Sequence, residues 1–328
     1  MNLASGIGQD LKESYNYSKC AVVIPAYKVS DSILSVVNTI PDWIDYIIVI
    51  DDACPESSGK IAENSGRKNL KVIYHERNLG VGGAVITGYR YALDLGCDIV
   101  IKMDGDGQMD PAYLKPLIEP LLKNNADYTK GNRFKYFSSL KEMPRLRLLG
   151  NSALSFLIKA VSGYWNIMDP TNGYTAIHQR VLKRLNLEMI AKRFFFESDM
   201  LINLNILNAV VMDIEIPSRY GTEKSNLRIR RILLDFPPRL LKGFIRRIFL
   251  KYFIYDFNMA SVYIMIGLPM FLFGITLGVI EWIKSIISGE PRSAGTIMLV
   301  ALPIIVSFQM LLQAVQIDIS SVPKRNSG

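Results

Sequence analysis

Short continuous apolar runs alternate with helical periodicity along the first hundred residues. CAVVIP (20–25), YIIVI (46–50), LKVIYH (70–75) and DIVIKM (98–103) have the length and bounding turns of strands. Between them, 31–40, 57–66 and 82–95 carry apolar residues at helical spacing. This alternation predicts βαβ units and a mainly parallel sheet, an α/β fold. Strands apolar at nearly every position fit a sheet covered by helices on both faces. A further helical run, PAYLKPLIEPLL, follows Asp110, which is placed to cap it.

Polar residues gather just after the strand runs. Tyr27 and Lys28 follow the first, Asp51 and Asp52 the second, Arg77 and Asn78 the third, Asp104 and Asp106 the fourth. In open α/β sheets the carboxyl ends of the strands line one crevice, where ligands bind. Four loops are therefore predicted to build one site.

The last third changes character. The segments 257–280 and 293–317 contain no charged residue, and each exceeds the roughly 20 residues that cross a bilayer core. A short polar linker around Ser288 to Arg292 joins them, so a helical hairpin through the membrane is expected rather than two buried core helices. The net charge of +8 is concentrated in 219–251, where ten Lys or Arg face two acids. Positive charge beside a span marks the cytoplasmic side and attracts anionic head groups. Its interleaving with apolar residues (RIRRILLDFPPRLLKGFIRRIFLKYF) suits helices lying on a membrane surface better than a nucleic-acid patch, and no nucleic-acid partner is expected. The N-terminal stretch lacks the apolar core of a signal peptide. The expected placement is multi-pass in the inner (cytoplasmic) membrane, with the first domain facing the cytosol. The organisation reads as a tail (1–18), an α/β domain (19–218), a basic juxtamembrane segment (219–256), a hairpin (257–317) and a second tail (318–328). Cys20, Cys54 and Cys97 lack metal or disulfide spacing, and a homo-oligomer is compatible with the pattern.

The chemistry centres on KMDGDGQMDP (102–111). Asp104 and Asp106, one glycine apart, can reach a single hard cation such as Mg2+ or Mn2+, and Gln108 can add a neutral oxygen. A calcium loop of EF-hand type is excluded, because its sixth and twelfth positions hold Met109 and Lys115. A plain Asp-Gly turn is the alternative. Clustered carboxylates also require a counter-charge or screening by water. The run NLGVGGAVITGY places Gly80, Gly82 and Gly83 at a helix start, where amides can approach a phosphate or a ribose. His75 and His178 read as structural.

These segments together resemble the family-2 glycosyltransferases of the GT-A fold, and more closely the polyprenyl-phosphate (dolichol- or undecaprenyl-phosphate) hexosyltransferases with a C-terminal membrane hairpin. The resemblance runs from about Cys20 to Ile317. It rests on VVIPAY, VIDDACPESSG, NLGVGGA, DGDGQ, GNRF, DPTNGYTAI and FFFESDM in that order. It implies transfer of a hexose, with inversion, from a nucleotide diphosphate sugar to a membrane polyprenyl phosphate. UDP-glucose or UDP-N-acetylglucosamine is the expected donor. It further implies that Pro25, Ala26 and Tyr27 line the nucleoside pocket, that Asp52 contacts base or ribose, and that Gly82 lies on the donor side. Asp104 sits near ribose and metal, and Asp106 is the principal metal ligand, with Gln108 helping. Arg133 and Arg145 face the acceptor phosphate, with Arg219 in a loop that closes over the site. Asp169, Asn172 and Gly173 shape the acceptor side, and Glu197 stands at its edge. One departure is visible. Many relatives carry Asn-Glu after Pro-Ala-Tyr, whereas this chain has Lys28-Val29.

Four other readings compete. A processive polysaccharide synthase usually carries Gln-x-x-Arg-Trp, and none of Trp43, Trp165 or Trp282 follows an arginine. A nucleotidyltransferase leaves the hairpin unexplained. A GDP-mannose-dependent enzyme of the dolichol-phosphate-mannose-synthase type and a non-enzymatic nucleotide-sugar-binding assembly partner stay open.

Overall fold

The computed structural model describes residues 18–133, 145–217 and 229–325; the side chains of 145–152 and 229–235 lie outside that description. Every expected strand and helix of the first hundred residues forms. The strands are β1 (Cys20–Ala26), β2 (Tyr46–Asp51), β3 (Leu70–Tyr74) and β4 (Ile99–Lys102), interleaved with α1 (Ile33–Thr39), α2 (Ser58–Glu63) and α3 (Val81–Asp94). Asp110 caps the next helical run as expected, its carboxylate accepting from Ala112 N at 3.0 Å. The run opens with a 3-10 turn, Pro111–Tyr113, before α4 (Leu114–Leu122).

Beyond α4 come β5 (Tyr128–Asn132), α5 (Arg145–Ser162), β6 (Thr175–His178), α6 (Gln179–Leu182), α7 (Phe196–Ile206) and β7 (Val211–Glu215). Among the described residues they complete a seven-stranded sheet in the order β3-β2-β1-β4-β6-β5-β7. All pairs are parallel except those of β6, which runs against both β4 and β5. Chain order reverses between β1 and β4, the place where an α/β sheet opens a ligand crevice.

The two sheet faces differ. Val22, Ile24, Val49, Ile99 and Ile101 point into a core closed by Val36, Val37, Leu117 and Leu121 of α1 and α4. The opposite face carries α3. A Cβ at Gly88 of α3 would fall 2.2 Å from Val23 Cγ1, so only glycine lets this helix lie so close to β1. A row of polar residues crosses that same face. Lys102 pairs with Thr175, Thr175 with Lys130, and Lys130 with Asp213, one residue from each of β4, β6, β5 and β7.

The chain divides into two compact units, one comprising Met1–Phe244 with Pro323–Gly328 and the other Ile245–Val322. α8 (Ile229–Phe249) carries part of the basic segment, whose residues before 229 lie outside the described ones, and continues into a π-helical turn, Leu250–Tyr255. Leu241, Ile245 and Phe249, spaced four apart, are all exposed and form an apolar stripe on the helix. Two of the basic residues do not face outward. Arg247 is fully buried and forms two bonds to Asp318, Nη1 to Oδ1 at 2.7 Å and Nη2 to Oδ2 at 3.0 Å. Tyr252 OH donates to the same carboxylate at 2.6 Å, and Lys251 Nζ donates to Ser321 Oγ at 3.0 Å.

The hairpin consists of α9 (Met259–Ser288) and α10 (Ala294–Ser320), two helices long and apolar enough to cross a membrane, with mean hydropathy of 2.1 in each. α9 extends beyond the expected apolar run to Ser288, and in that extension Glu281 and Lys284 pair at 2.7 Å. Gly289 then ends it in the left-handed region at φ 69°. Leu272, Phe273, Ile305 and Phe308 are exposed outward, as lipid-facing side chains would be. After the hairpin the chain returns to the first unit, where Arg325 Nη2 donates to Asp127 Oδ1 at 2.9 Å.

Candidate active site

The expected acidic loop lies at the carboxyl end of β4, and the counter-charge it requires is Lys102. This lysine is 1% exposed, and its Nζ donates to Asp104 Oδ1 at 2.8 Å and to the Gly173 carbonyl at 3.2 Å. Glu197 Oε1 is 3.4 Å from the same nitrogen. Burial alone would lower the Lys102 pKa, but Asp104 and Glu197 together outweigh it and hold the group above its ordinary value. The sequence reading passed over Lys102. A lysine inside DIVIKM, in a strand otherwise apolar, was the available signal.

Asp104 is about one-third exposed and Asp106 half-buried, while Gln108 is exposed. Asp106 Oδ1 accepts from Gln108 N at 2.9 Å, a local turn that fixes the loop. Among the described residues no group of three His, Cys, Asp or Glu could cage a metal. Two carboxylates opening toward solvent nonetheless fit Mg2+ or Mn2+, which take one or two protein carboxylates and leave the other positions to water and substrate phosphates.

Of the residues expected on the acceptor side, Asp169 is fully buried and grips Arg133. Nε donates to Oδ2 at 2.7 Å and Nη2 to Oδ1 at 3.2 Å. Arg133 itself is 43% exposed, so a buried carboxylate fixes a partly exposed fork. The turn 169–173 also holds Asn172 and Gly173. Asn172 Oδ1 accepts from Tyr174 N at 2.9 Å, and the Asn172 carbonyl accepts from the buried Lys130 Nζ. Burial pushes the Lys130 ammonium down to about 8, against the opposing charges of Glu197 and Asp169. The structure thus brings Asp104, Gly173, Glu197 and two buried lysines together. Arg145 begins α5, but its side chain lies outside the described residues, as does the whole of Arg219.

Two groups expected on the donor side are engaged within the protein. Asp52 was expected to face base or ribose, yet it is 3% exposed with both oxygens engaged. Oδ1 accepts from Leu79 N and Oδ2 from Gly80 N, each at 2.8 Å, and His75 Nδ1 lies 2.7 Å from Oδ1. Asp52 and His75 therefore fasten the glycine loop, and His75 has the structural role expected of it. The glycines, expected to approach a phosphate, face protein instead. Gly83 N donates to Lys192 O at 3.0 Å, and a Cβ at Gly82 would fall 2.5 Å from Ala191 O. These glycines serve close packing of α3 on the segment leading into α7. Of the residues expected around the nucleoside, Tyr27 is 44% exposed, Pro25 is half-buried and Ala26 is buried. Lys28 adopts φ 57°, and its Nζ sits 5.7 Å from the Tyr27 ring centre. Val29, not a carboxylate, follows Lys28 here.

Residues 21–185 match the family described as Glycosyl transferase family 2. The chain belongs to that family. It is 33% identical over 245 residues to the UDP-N-acetylglucosamine–dolichyl-phosphate N-acetylglucosaminyltransferase of Methanococcus voltae, covering 70% of this chain and 95% of that one. It is 28% identical over 199 residues to the undecaprenyl-phosphate mannosyltransferase of Micrococcus luteus, covering 59% and 81%. Among solved structures, glucosyl-3-phosphoglycerate synthase from Mycobacterium tuberculosis, in complex with Mn2+, UDP and glucosyl-3-phosphoglycerate, superposes with a TM-score of 0.56 at 19% identity. That match covers 73% of this chain and 83% of the synthase. The family-2 glycosyltransferase is thus a GT-A-type α/β domain followed by two apolar helices.

Proposed function

We propose that this glycosyltransferase moves a sugar, N-acetylglucosamine in the first instance, from its UDP conjugate to a membrane polyprenyl phosphate. The observation that carries the reading is the coexistence of the Asp104/Asp106 loop and the Asp169-held Arg133 with a hairpin long enough to cross a bilayer. The Methanococcus relative, matched along nearly its full length, supports the donor and the acceptor class.

The acceptor phosphate oxygen attacks the anomeric carbon, forming a C–O bond as the bond to the nucleoside diphosphate breaks, with inversion at that carbon. A phosphate monoester is largely dianionic near neutral pH, so the nucleophile needs no general base. Asp104, Asp106 and Gln108 would hold Mg2+ or Mn2+, and the cation when bound neutralises charge on the departing diphosphate. The chain's own task is to hold two anions together in line. Arg133 suits the acceptor phosphate because its planar fork is held in a set orientation by Asp169. Tyr27, Pro25 and Ala26 would flank the nucleoside. Asp52 and Gly82 would act indirectly, by setting the loop 78–83.

A polyprenyl tail resists leaving the bilayer, at about 0.8 kcal/mol per exposed CH2, so the enzyme must work at the surface. The exposed stripe Leu241, Ile245 and Phe249 and the hairpin meet that need. An even number of spans places both hairpin ends on one side, which we assign to the cytosol beside the basic segment. The test is a screen of UDP-N-acetylglucosamine, UDP-glucose and GDP-mannose against purified protein and polyprenyl phosphate. A lipid product from the first donor supports the reading. Product from GDP-mannose alone would replace it with the mannosyl alternative, and no glycolipid from any donor would leave the non-enzymatic reading.

A further inference from the structure

Lys102 and Lys130 are buried to 1% and 0% exposure and project from the same sheet face toward one turn. Lys102 Nζ donates to the carbonyl of Gly173, and Lys130 Nζ to the carbonyl of its neighbour Asn172. Two ammonium groups thus hold two successive peptide carbonyls. Buried lysines are rare unless paired, and desolvating two of them in the strands on either side of β6 is unfavourable unless their charges are used.

The use differs for each. Lys102 continues to Asp104 Oδ1 at 2.8 Å, so it joins the acidic loop to the turn. A Cβ at Gly173 would fall 2.4 Å from Lys102 Nζ and 2.9 Å from Asp104 Oδ2, which shows how tightly the three groups meet. Lys130 anchors the other half of the turn, three residues after Asp169, which holds Arg133. Its register neighbour Asp213 accepts from Met168 N at 2.7 Å, next in sequence to Asp169.

We propose that Lys102 and Lys130 are separate positioning residues for the two substrates. Lys102 sets the orientation of Asp104 for the metal-bound donor, and Lys130 sets the 169–173 turn and through it the Arg133 fork for the acceptor phosphate. Neither needs to touch substrate. The inference rests on the proposed function for the identity of the acceptor, but its donor half does not.

The experiment uses the full-length protein in detergent, with Lys102→Met and Lys130→Met compared by two readouts. One is Mn2+-dependent binding of UDP or GDP, whichever the wild type binds, by calorimetry. The other is the KM for polyprenyl phosphate. Lys102→Met is expected to raise the Mn2+ concentration for half-maximal nucleotide binding by about tenfold, a loss of roughly 1.4 kcal/mol in coupling, with acceptor KM little changed. Lys130→Met is expected to raise acceptor KM by a similar factor and leave nucleotide binding intact. Equal loss of both functions in both variants would mean a merely structural role and overturn the proposal, as would wild-type values in either folded variant. If the methionine variants do not fold, Gly173→Ala and Lys130→Arg decide. The first should show the metal defect and the second the acceptor defect, and normal values would overturn the corresponding half. Failure of the wild type to glycosylate polyprenyl phosphate sinks the proposed function, while the Lys102 binding arm still reads.

Discussion

Replacing Arg133 by alanine perturbs stability and acceptor recognition together, and the structure lets the two be separated. The arginine donates two side-chain bonds to Asp169, at 2.7 and 3.2 Å. Asp169 is fully buried and would keep only Thr171 Oγ1 at 3.3 Å and the backbone amide of residue 133 at 3.3 Å. Hydrogen bonds to charged groups contribute about 1.5–3 kcal/mol each. Because Arg133 is 43% exposed, solvent screens part of this, and about 2 kcal/mol in total is the reasonable expectation. For a domain of this size each kcal/mol shifts Tm by about 2–4 °C, so Arg133→Ala should lower Tm by about 4–8 °C in detergent. Adding Asp169→Ala removes the stranded carboxylate. The double variant should therefore be no less stable than Arg133→Ala, with a coupling of about 1–2 kcal/mol in the double-mutant cycle. Arg133→Lys keeps the charge but loses the fork. It should raise acceptor KM while leaving donor KM near the wild-type value. Thermal unfolding followed by tryptophan fluorescence, with acceptor titrations on the same samples, gives both readouts. A Tm within 1 °C of wild type together with zero coupling would refute the picture of a carboxylate-held fork.

Other outcomes follow from the same geometry. Asp106→Ala is expected to abolish transfer while membrane association persists; full activity in that variant, or in EDTA, would remove the metal assignment. Asp318→Ala removes the carboxylate that accepts two bonds from the buried Arg247 and should destabilise the hairpin unit by about 3–5 kcal/mol, whereas Arg247→Met with Asp318→Leu should recover most of it. Equal instability of the single and double variants in a denaturant series would contradict this. Gly82→Ala pushes a methyl to 2.5 Å from Ala191 O, which should cost about 1–3 kcal/mol by overpacking. If it instead raised donor KM with no change in Tm, the glycine would be facing phosphate after all.

The frame of the molecule was legible because its signals are local. CAVVIP and YIIVI are apolar at nearly every position since both sheet faces are covered, and the two apolar helices announce themselves by runs without charge long enough to cross a bilayer. The acidic loop and the Asp110 cap depend on neighbours in sequence and were equally readable. What escaped was pairing at a distance. Lys102 meets a carbonyl 71 residues away, and Arg247 meets Asp318 at the same separation. Nothing in RIRRILLDFPPRLLKGFIRRIFLKYF distinguishes an arginine facing lipid head groups from one buried against a carboxylate. Asp52 illustrates a related point. Asp51 and Asp52 look alike in sequence, and both turn inward. Asp51 accepts from Cys54 and Gly59 amides at 2.7 Å each, while Asp52 collects the amides of the glycine loop. An aspartate at a strand's end can bind a ligand or tie down the next loop, and only the position of that loop decides between them.

The central claim is that a nucleotide-sugar site and a lipid-phosphate site meet on this one chain. The most direct test is mass spectrometry of the lipid fraction after purified enzyme is incubated with UDP-N-acetylglucosamine, Mn2+ and polyprenyl phosphate. The account predicts one new lipid, heavier by a single N-acetylhexosamine residue and carrying one phosphate, that disappears in Asp106→Ala. A product carrying two phosphates would show transfer of sugar phosphate instead and contradict it, as would sugar appearing only on water-soluble acceptors.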